Sequence, residues 1–358
     1  MKLKAKFPAA AAGPFYAELR KRVNHHFKEN QISPNANFSM WLKTIIFLLS
    51  YVILYLVILI FPLNLLSLAL LTILLGMTAA FVGFNICHDA IHGSFSKSKK
   101  VNKILSFLFN LLGANPYVWN ITHNVVHHTY TNIAGHDEDI EVAPGLIRIA
   151  ASDELKSFHR FQQWYAFPLY GFASLSWVLR KDYKKFFQTS VGAHANNHPK
   201  IEYFNLFFYK ALYYFLFLVL PMLVMDIAWY QVITGFIILH FAQGFTMGLV
   251  FQLAHVVEGT EFPLPDAKGN MQEAWAEHQM NTTANFATNC KFSAFFLGGL
   301  NRQIEHHLFP KICHIHYGWI SKIVKTTALE YGIVYNENKT FPLALRSHFN
   351  MLKKMGRT

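Results

Sequence analysis

Three short histidine clusters in this chain have the spacing of metal ligands. They read His88-Asp89-Ala90-Ile91-His92, His123-Asn124-Val125-Val126-His127-His128 and Gln303-Ile304-Glu305-His306-His307. In a helix, residues four apart lie on one face, so His88 with His92 and His123 with His127 would each present two imidazoles together. Neutral imidazole nitrogen binds Fe, Zn, Cu and Ni. Each cluster adjoins a hydrophobic stretch, and this recurrence favours metal ligands over core or surface histidines.

Eight histidines are predicted to be ligands, which is more than one metal ion needs. They are His88, His92, His123, His127, His128, His255, His306 and His307. His255 joins the set because it follows an apolar segment and would lie level with His88. The chain has three cysteines and no Cys-x-x-Cys pair, which argues against iron–sulfur clusters and structural zinc. The set therefore predicts two metals, and paired nitrogen-ligated irons suit O2 activation.

An acidic run after the second cluster offers orienting groups for these rings. Asp137 and Asp139 could accept hydrogen bonds from ligand N–H groups, or they could belong to a solvated loop. Two other polar residues in apolar surroundings have simpler interpretations. His240 lies mid-segment and predicts a buried, hydrogen-bonded histidine, and Cys87 predicts a small buried side chain.

Four apolar segments would position the clusters. They are residues 39–61, 65–86, 206–225 and 228–253. About 20 residues at ~1.5 Å per residue cross a ~30 Å hydrocarbon layer. Short turns without lysine or arginine join the segments in pairs. We therefore predict an all-α integral membrane protein with four transmembrane helices in two hairpins, and a cytosolic helical cap that holds a histidine-rich dimetal site.

The distribution of basic residues predicts the orientation. Lysines follow the second segment, whereas the hairpin turns carry none, so both termini and the histidine clusters would face the cytoplasm. The predicted cytosolic parts are residues 1–38, 87–205 and 254–358. Residues 104–119 are interpreted as an interfacial segment rather than a span. The net charge of +12 is then explained by the basic cytoplasmic loops of a membrane protein rather than by nucleic acid binding. Residues 1–358 would form a single domain.

The clusters, their order and the two hairpins resemble the histidine boxes of the integral-membrane fatty acid desaturases. The resemblance covers roughly residues 40–320 and extends to the flanking sequences His127-His128-Thr129-Tyr130-Thr131-Asn132 and His306-His307-Leu308-Phe309-Pro310. Gln303 stands in place of the first histidine of the third box. This is similar to the front-end (Δ5/Δ6-like, linoleoyl-CoA desaturase-like) branch, which inserts a double bond between an existing one and the carboxyl end.

The resemblance implies the cofactor, the substrates and the partner. It implies a non-haem centre of two iron ions, with O2 and two electrons consumed per double bond. The eight histidines would be its ligands, and Gln303 would lie near the metal as a weaker or indirect participant. The substrate would be a fatty acyl chain on CoA or a lipid.

The chain shows no His-Pro-Gly-Gly haem motif, since Lys200 follows His198-Pro199. A separate cytochrome b5 or ferredoxin would therefore deliver the electrons, attracted by the basic surface.

Two alternatives to a desaturase remain open from the residues alone. A di-iron hydroxylase would use the same centre and leave an alcohol in place of a double bond. A histidine-rich membrane metal transporter would place its histidines along a path at mid-bilayer. Here the clusters lie at the inner ends of the spans and in loops, which favours the enzyme. In the enzyme, an apolar tunnel would fix which carbons lie beside the metals, so its depth and bend would set regioselectivity.

Overall fold

The computed structural model describes residues 5–8, 13–192 and 194–358. Parts of the predicted N-terminal cytosolic segment thus lie outside the described residues. The α-helices, in chain order, are α1 Gly13–Glu29, α2 Phe38–Ile60, α3 Leu65–Val82, α4 His88–His92, α5 Lys99–Phe107, α6 Pro116–Trp119, α7 His128–Tyr130, α8 Gln162–Tyr170, α9 Ala173–Ser176, α10 Asp182–Phe187, α11 Lys200–Tyr214, α12 Leu220–Val224, α13 Trp229–His255, α14 Trp275–Thr282, α15 Lys291–Phe296, α16 Gln303–Leu308, α17 Tyr317–Glu330 and α18 Phe341–Met355.

Wider and tighter helical turns extend several of these helices. The π-helical turns are Gly83–Cys87, Asn120–His127, Trp177–Lys181 and Phe215–Val219, and the 3-10 turns are Leu108–Leu112, Ser157–Phe161 and His314–His316. Four two-residue strands, β1 Ser190–Val191, β2 His194–Ala195, β3 Asn285–Phe286 and β4 Glu337–Asn338, form one antiparallel pair (β1 with β2) and one parallel pair (β3 with β4).

Four helical stretches are long and apolar enough to cross a membrane, which confirms the predicted all-α fold class. They are Phe38–Ile60, Leu65–His92, Lys200–Val224 and Trp229–His255. The second stretch continues past the predicted end at residue 86, because a π-helical turn carries the helix into the first histidine cluster. The third begins before the predicted residue 206, because its first turn contains charged residues that the apolar pattern excluded.

The outer faces of these helices suit lipid. Large apolar side chains such as Leu49, Ile53 and Leu66 are exposed on α2 and α3, which water would penalise and a bilayer would not. On the inner side, α3 packs closely against α13. A Cβ added to Gly76 would lie 2.3 Å from the Leu239 carbonyl oxygen. Glycine at this position therefore lets the two hairpins approach each other.

Residues 104–119 do not form a span, as predicted, and their interfacial position stays a prediction. The segment breaks into the end of α5, a 3-10 turn and α6. Gly113, at a φ of 85°, ends the 3-10 turn in the left-handed region, where glycine is favoured. Pro116 then starts α6, with Asn115 as its N-cap.

A cap, made of α1, α14, α16 and α17, packs over the ends of the spans that carry His88 and His255. Its core includes Phe15, Leu19, Ile304 and Val324, all fully buried. Since α16 carries the third histidine cluster, the apolar packing of this cap places that cluster against the ends of the spans.

Candidate metal centre

Four parts of the fold bring the eight predicted ligands together. α4 carries the first cluster, the π-helical turn Asn120–His127 with α7 carries the second, α16 carries the third, and α13 ends at His255. All eight side chains are buried, with at most 6 % of their surface exposed. These rings therefore have almost no contact with bulk water.

The second cluster is π-helical and not the α-helix that the sequence spacing suggested. The wider turn brings residues both four and five positions apart close together. The His123 and His127 rings stack with their centroids 4.9 Å apart, and the His123 and His128 Nε2 atoms lie 3.2 Å apart. His123 thus approaches both members of the following doublet.

The donor atoms form two separate sets and a third group that overlaps both. In the first set, comprising His88, His92, His123 and His306, the donor atoms lie within 4.8 Å of one another, and the same holds for the second set, His127, His255 and His307. His128 forms a third such group with His306 and His307. This histidine therefore lies between the two sets.

Unsatisfied ring nitrogens show that the residues fit metal ions. Within the described part of the chain, buried nitrogens without a hydrogen-bond partner occur on five of the rings, those of His88, His92, His127, His128 and His306. A buried polar atom without a partner costs about 1–3 kcal/mol. Several such atoms that converge from different helices are explained by cations that accept their lone pairs.

Hydrogen bonds on the far side of four rings hold their orientation. The Nδ1 groups donate at 2.7 Å from His127 to Asp137, 3.0 Å from His123 to Asp139, 2.6 Å from His307 to Gln279 and 3.4 Å from His255 to the Thr282 carbonyl oxygen. Donation from Nδ1 leaves Nε2 available as the metal-binding atom and fixes the plane of the ring.

Both predicted orienting carboxylates lie in position, although the sequence left each undecided. Asp137 also accepts the backbone N–H groups of Asn132 and Asp139, each at 3.0 Å. Asp139 accepts a further bond from the Lys181 ammonium at 3.0 Å. Sequence reasoning did not identify Gln279 or Thr282 as orienting groups, because neither has a ligand-like spacing and only the cap packing brings them to the rings.

Gln303 lies beside two histidines of the second set. Its side-chain amide nitrogen lies 2.9 Å from His255 Nε2 and 3.3 Å from His307 Nε2. Its amide oxygen is buried and has no partner among the described residues. Rotation of the amide by half a turn would point this oxygen, a possible metal ligand, at the same place.

Electrostatics keep most of these rings neutral, which is the form that binds metals. Burial and neighbouring imidazoles lower the pKa of His128, His306 and His307 well below the usual value. Burial lowers the pKa of His123 to about 3, despite its bond to Asp139. For His127, burial is outweighed by the charge and hydrogen bond of Asp137, so its pKa is raised.

An apolar cavity of about 100 Å³ lies beside the first set. Its wall includes Gly83, Phe109, Trp177 and Phe251. His88 and His123 also line it, and they are the only ones of the eight predicted ligands, all of which are described, that do so. This mostly apolar wall would suit a hydrocarbon segment next to the first set.

His240 and Cys87, which the sequence predicts to be buried residues without a role in metal binding, lie outside the two ligand sets. His240 bonds to the Ser174 hydroxyl at 2.9 Å and to the Tyr213 hydroxyl at 3.1 Å, within the membrane-spanning part. Cys87 is fully buried. Neither is among the groups that form the two sets.

Comparison with known proteins identifies the family. The profile of the family described as "Fatty acid desaturase" matches residues 63–339. The "sn-1 linoleoyl-lipid 6-desaturase" of Synechocystis sp. is 37% identical over 352 residues, 96% of either chain, and the protein of the same name from Arthrospira platensis is 37% identical over 343 residues, 95% of this chain and 92% of the relative. The "Acyl-lipid (8-3)-desaturase" of Physcomitrium patens is 36% identical over 352 residues, 96% of this chain and 72% of the relative. The chain therefore belongs to the fatty acid desaturase family and is a membrane oxidoreductase that desaturates fatty acyl chains.

Proposed function

We propose that this enzyme is a front-end desaturase whose substrate is an acyl chain on a membrane glycerolipid. It inserts a double bond between an existing double bond and the carboxyl end. The observation that carries the proposal is the position of Gln303 between His255 and His307, since glutamine there is similar to the front-end branch. The names of the similar proteins, a linoleoyl-lipid 6-desaturase and an acyl-lipid (8-3)-desaturase, support a lipid-linked substrate.

Two iron ions are the proposed cofactor. The first set would hold one ion and the second set with Gln303 the other, with His128 between them. Nitrogen ligands without thiolates suit iron, and bound iron would supply the O2 activation that breaks two unactivated C–H bonds. Asp137, Asp139 and Gln279 would keep the rings oriented while the charge of the centre changes.

The residues of the cavity wall position the substrate. The wall of the cavity excludes water and holds the acyl chain against His88 and His123. This fixed position gives the reaction its proximity advantage, and the depth of the chain in the cavity sets which carbons react. In the balanced reaction, the substrate loses two hydrogen atoms, and these, with two electrons and two protons, reduce one O2 to two water molecules.

The membrane orientation is also a proposal. Lys97, Lys99 and Lys100 follow the second span, whereas the turn at residues 62–64 is without lysine or arginine. By the positive-inside rule, both termini and the metal centre face the cytoplasm. Residues 1–358 are treated as one domain, and the electrons come from a separate cytochrome b5 or ferredoxin.

The test is analysis of fatty acids in a host that expresses the chain and receives oleate, linoleate or α-linolenate. We expect a new double bond on the carboxyl side of an existing one, located by gas chromatography–mass spectrometry of derivatives. In a short time course, the product should appear in glycerolipids before acyl-CoA. The control is the H127A variant, which should reach the membrane and form no product.

Three results would contradict the proposal. A new hydroxyl group would indicate the hydroxylase. A double bond on the methyl side would exclude the front-end assignment. Bound iron without O2-dependent loss of any fatty acid, with a competent reductant supplied, would favour the transporter.

A further inference from the structure

A tryptophan connects the surface of the cap to the residue between the two sets. The indole N–H of Trp275 donates to the backbone carbonyl of His128 at 3.0 Å. His128 is itself 3.2 Å from His123 through ring nitrogens. Trp275 is partly exposed, whereas His128 is buried. This side chain therefore reaches from solvent to the backbone of a proposed ligand.

A second aromatic residue extends this contact along α1. The Tyr16 ring packs edge-on against Trp275, with centroids 5.5 Å apart, and its hydroxyl donates to the Leu308 carbonyl at 2.8 Å. Leu308 directly follows His307 of the second set. Tyr16 is also partly exposed, so two adjacent rings at the surface each bond to the backbone at or next to a proposed ligand.

Basic side chains lie beside the Tyr16 ring. The Arg20 guanidinium lies 5.8 Å from the centre of this ring, and Lys21 has 79% of its side chain exposed, with a loose 3.7 Å contact to Glu18. Glu18 pairs with Arg22 at 2.9 Å. On the side of Trp275, Glu273 bonds to the Asn281 side-chain amide at 3.0 Å and Glu277 is partly exposed, so the basic part of this surface is the α1 side.

We propose that this docking face, made of Tyr16, Arg20, Lys21 and Trp275, binds an acidic one-electron carrier protein and that Trp275 conducts its electrons to the metal centre. The partner follows from charge complementarity, since opposite charges steer association, and from the need of the reaction for electrons. The inference rests on the proposed di-iron function and adds where the donor binds.

The electron balance defines the step. Each encounter transfers one electron from the reduced carrier to the centre, so the carrier is oxidised by one electron. Two encounters supply the two electrons of one desaturation cycle. Electron transfer through protein slows steeply with distance, so a conjugated ring bonded to the backbone of His128 shortens the poorly conducting part of the route.

The same cap offers a matched control in Trp319. Trp319 is partly exposed like Trp275, and it lies on α17, where it stacks on His26 at 3.8 Å and meets Phe27 at 4.8 Å. Substitution of Trp319 removes the same surface from the same cap. Its described ring contacts are to His26, Phe27 and His316, outside the proposed ligand sets.

The first experiment measures electron transfer directly. The full-length, iron-loaded protein in nanodiscs is mixed anaerobically with the reduced soluble haem domain of cytochrome b5 or with reduced plant-type ferredoxin, and carrier oxidation is followed by absorbance. W275L should slow carrier oxidation severalfold, and W319L should not. Reduction by dithionite and iron content should be unchanged in both. W275F, which keeps the ring but not the N–H donor, should fall between.

The second experiment tests the charges. R20E/K21E should weaken carrier binding by about tenfold at low salt, and the difference should shrink as salt is added. The control K353E/K354E makes the same charge change on exposed residues of α18 and should bind as the unaltered protein does.

The outcomes separate this inference from the proposed function. Equal carrier oxidation by W275L, W319L and the unaltered protein, with iron retained, would overturn the role of Trp275. If W275L loses iron, the rate of carrier oxidation by W275F is used instead. A W275F rate equal to that of the unaltered protein would then overturn the role of Trp275. Unchanged binding by R20E/K21E would overturn the docking face. The proposed function fails independently, when the unaltered protein oxidises carrier but forms no double bond.

Discussion

The two ligand sets differ in their chemistry and in what they face. The first set has four imidazoles, and two of them, His88 and His123, line the apolar cavity. The second set has three imidazoles, with the amide of Gln303 beside them. An amide donates less electron density to a metal than an imidazole does. A metal centre held by these sets would therefore be asymmetric, with the side of four imidazoles next to the apolar cavity.

The orienting carboxylates show a compensating difference. Asp139 divides its charge between His123 and the Lys181 ammonium, at 3.0 Å each. Asp137 bonds to His127 and to two backbone N–H groups. As a result, the pKa of His127 is raised despite burial, whereas burial lowers the pKa of His123 to about 3. A more basic His127 would partly offset the weaker ligand in its own set.

The largest effect is expected from the residue that the two sets share. H128A removes a donor that lies within reach of both sets, so turnover should be abolished and bound iron should fall by more than half. Iron per protein, measured by mass spectrometry, and product formation check this. H198A is the control, since the His198 ring stacks on Phe186 away from the centre. Full iron retention in H128A would exclude a shared role.

The orienting carboxylates should have the next largest effect. D137N and D139N keep the shape but remove the charge from His127 and His123 respectively, and the loss of such partners costs about 10–100-fold in metal affinity or activity. Because Asp137 has no competing cation among its described contacts, we expect D137N to be the more severe. Chelator-competition assays rank the two variants.

Asp182 provides the matched control for this pair. It is a buried aspartate paired with Lys210 at 2.8 Å. D182N should lower thermal stability without changing the iron content of the folded protein. If D139N loses more iron than D137N, the inferred division of charge is wrong.

Substitutions of Gln303 test the proposed difference between the two ligand sets. Q303L removes the only amide of the second set among the described residues and should weaken iron retention by about tenfold, whereas Q303H would add a fourth imidazole and restore retention. The half-time of iron release to a chelator distinguishes them. The control is Q243L, at a buried glutamine that bonds to the Leu112 carbonyl. Equal retention in Q303L and the unaltered protein would mean that Gln303 does not contact the metal.

The sequence predicted the parts of the molecule that depend on local patterns. Apolar segment length identified the four spans, and histidine spacing identified the eight candidates that the structure brings together. Both signals are physical requirements of a short stretch, a hydrocarbon thickness in one case and a helical face in the other. The family followed from the joint order of the clusters.

The features that the sequence did not predict depend on contacts between residues that are distant in sequence. Gln279 bonds to His307 because α14 packs on α16, and Trp275 reaches His128 across 147 positions. The π-helical turn was also missed, because one additional residue in a turn leaves no distinct pattern of residue types. Asp137 and Asp139 were found as candidates, but their division between the sets is set by the loop geometry.

The smallest expected effect concerns the cavity side of the first set. A Cβ at Gly83 would have ordinary contacts, 3.6 Å to Leu112 and 3.9 Å to Phe109, so G83V should fold and fill part of the cavity. Because one methylene in an apolar pocket changes discrimination by about tenfold or more, G83V should lower kcat/KM for longer acyl chains more than for shorter ones, with iron unchanged. The control is G235V, since a Cβ at Gly235 meets no described atom within 4 Å. An equal loss of kcat/KM for all chain lengths would mean that this wall does not select substrates by length. Loss of iron would mean that a change in the cavity also disturbs the first set.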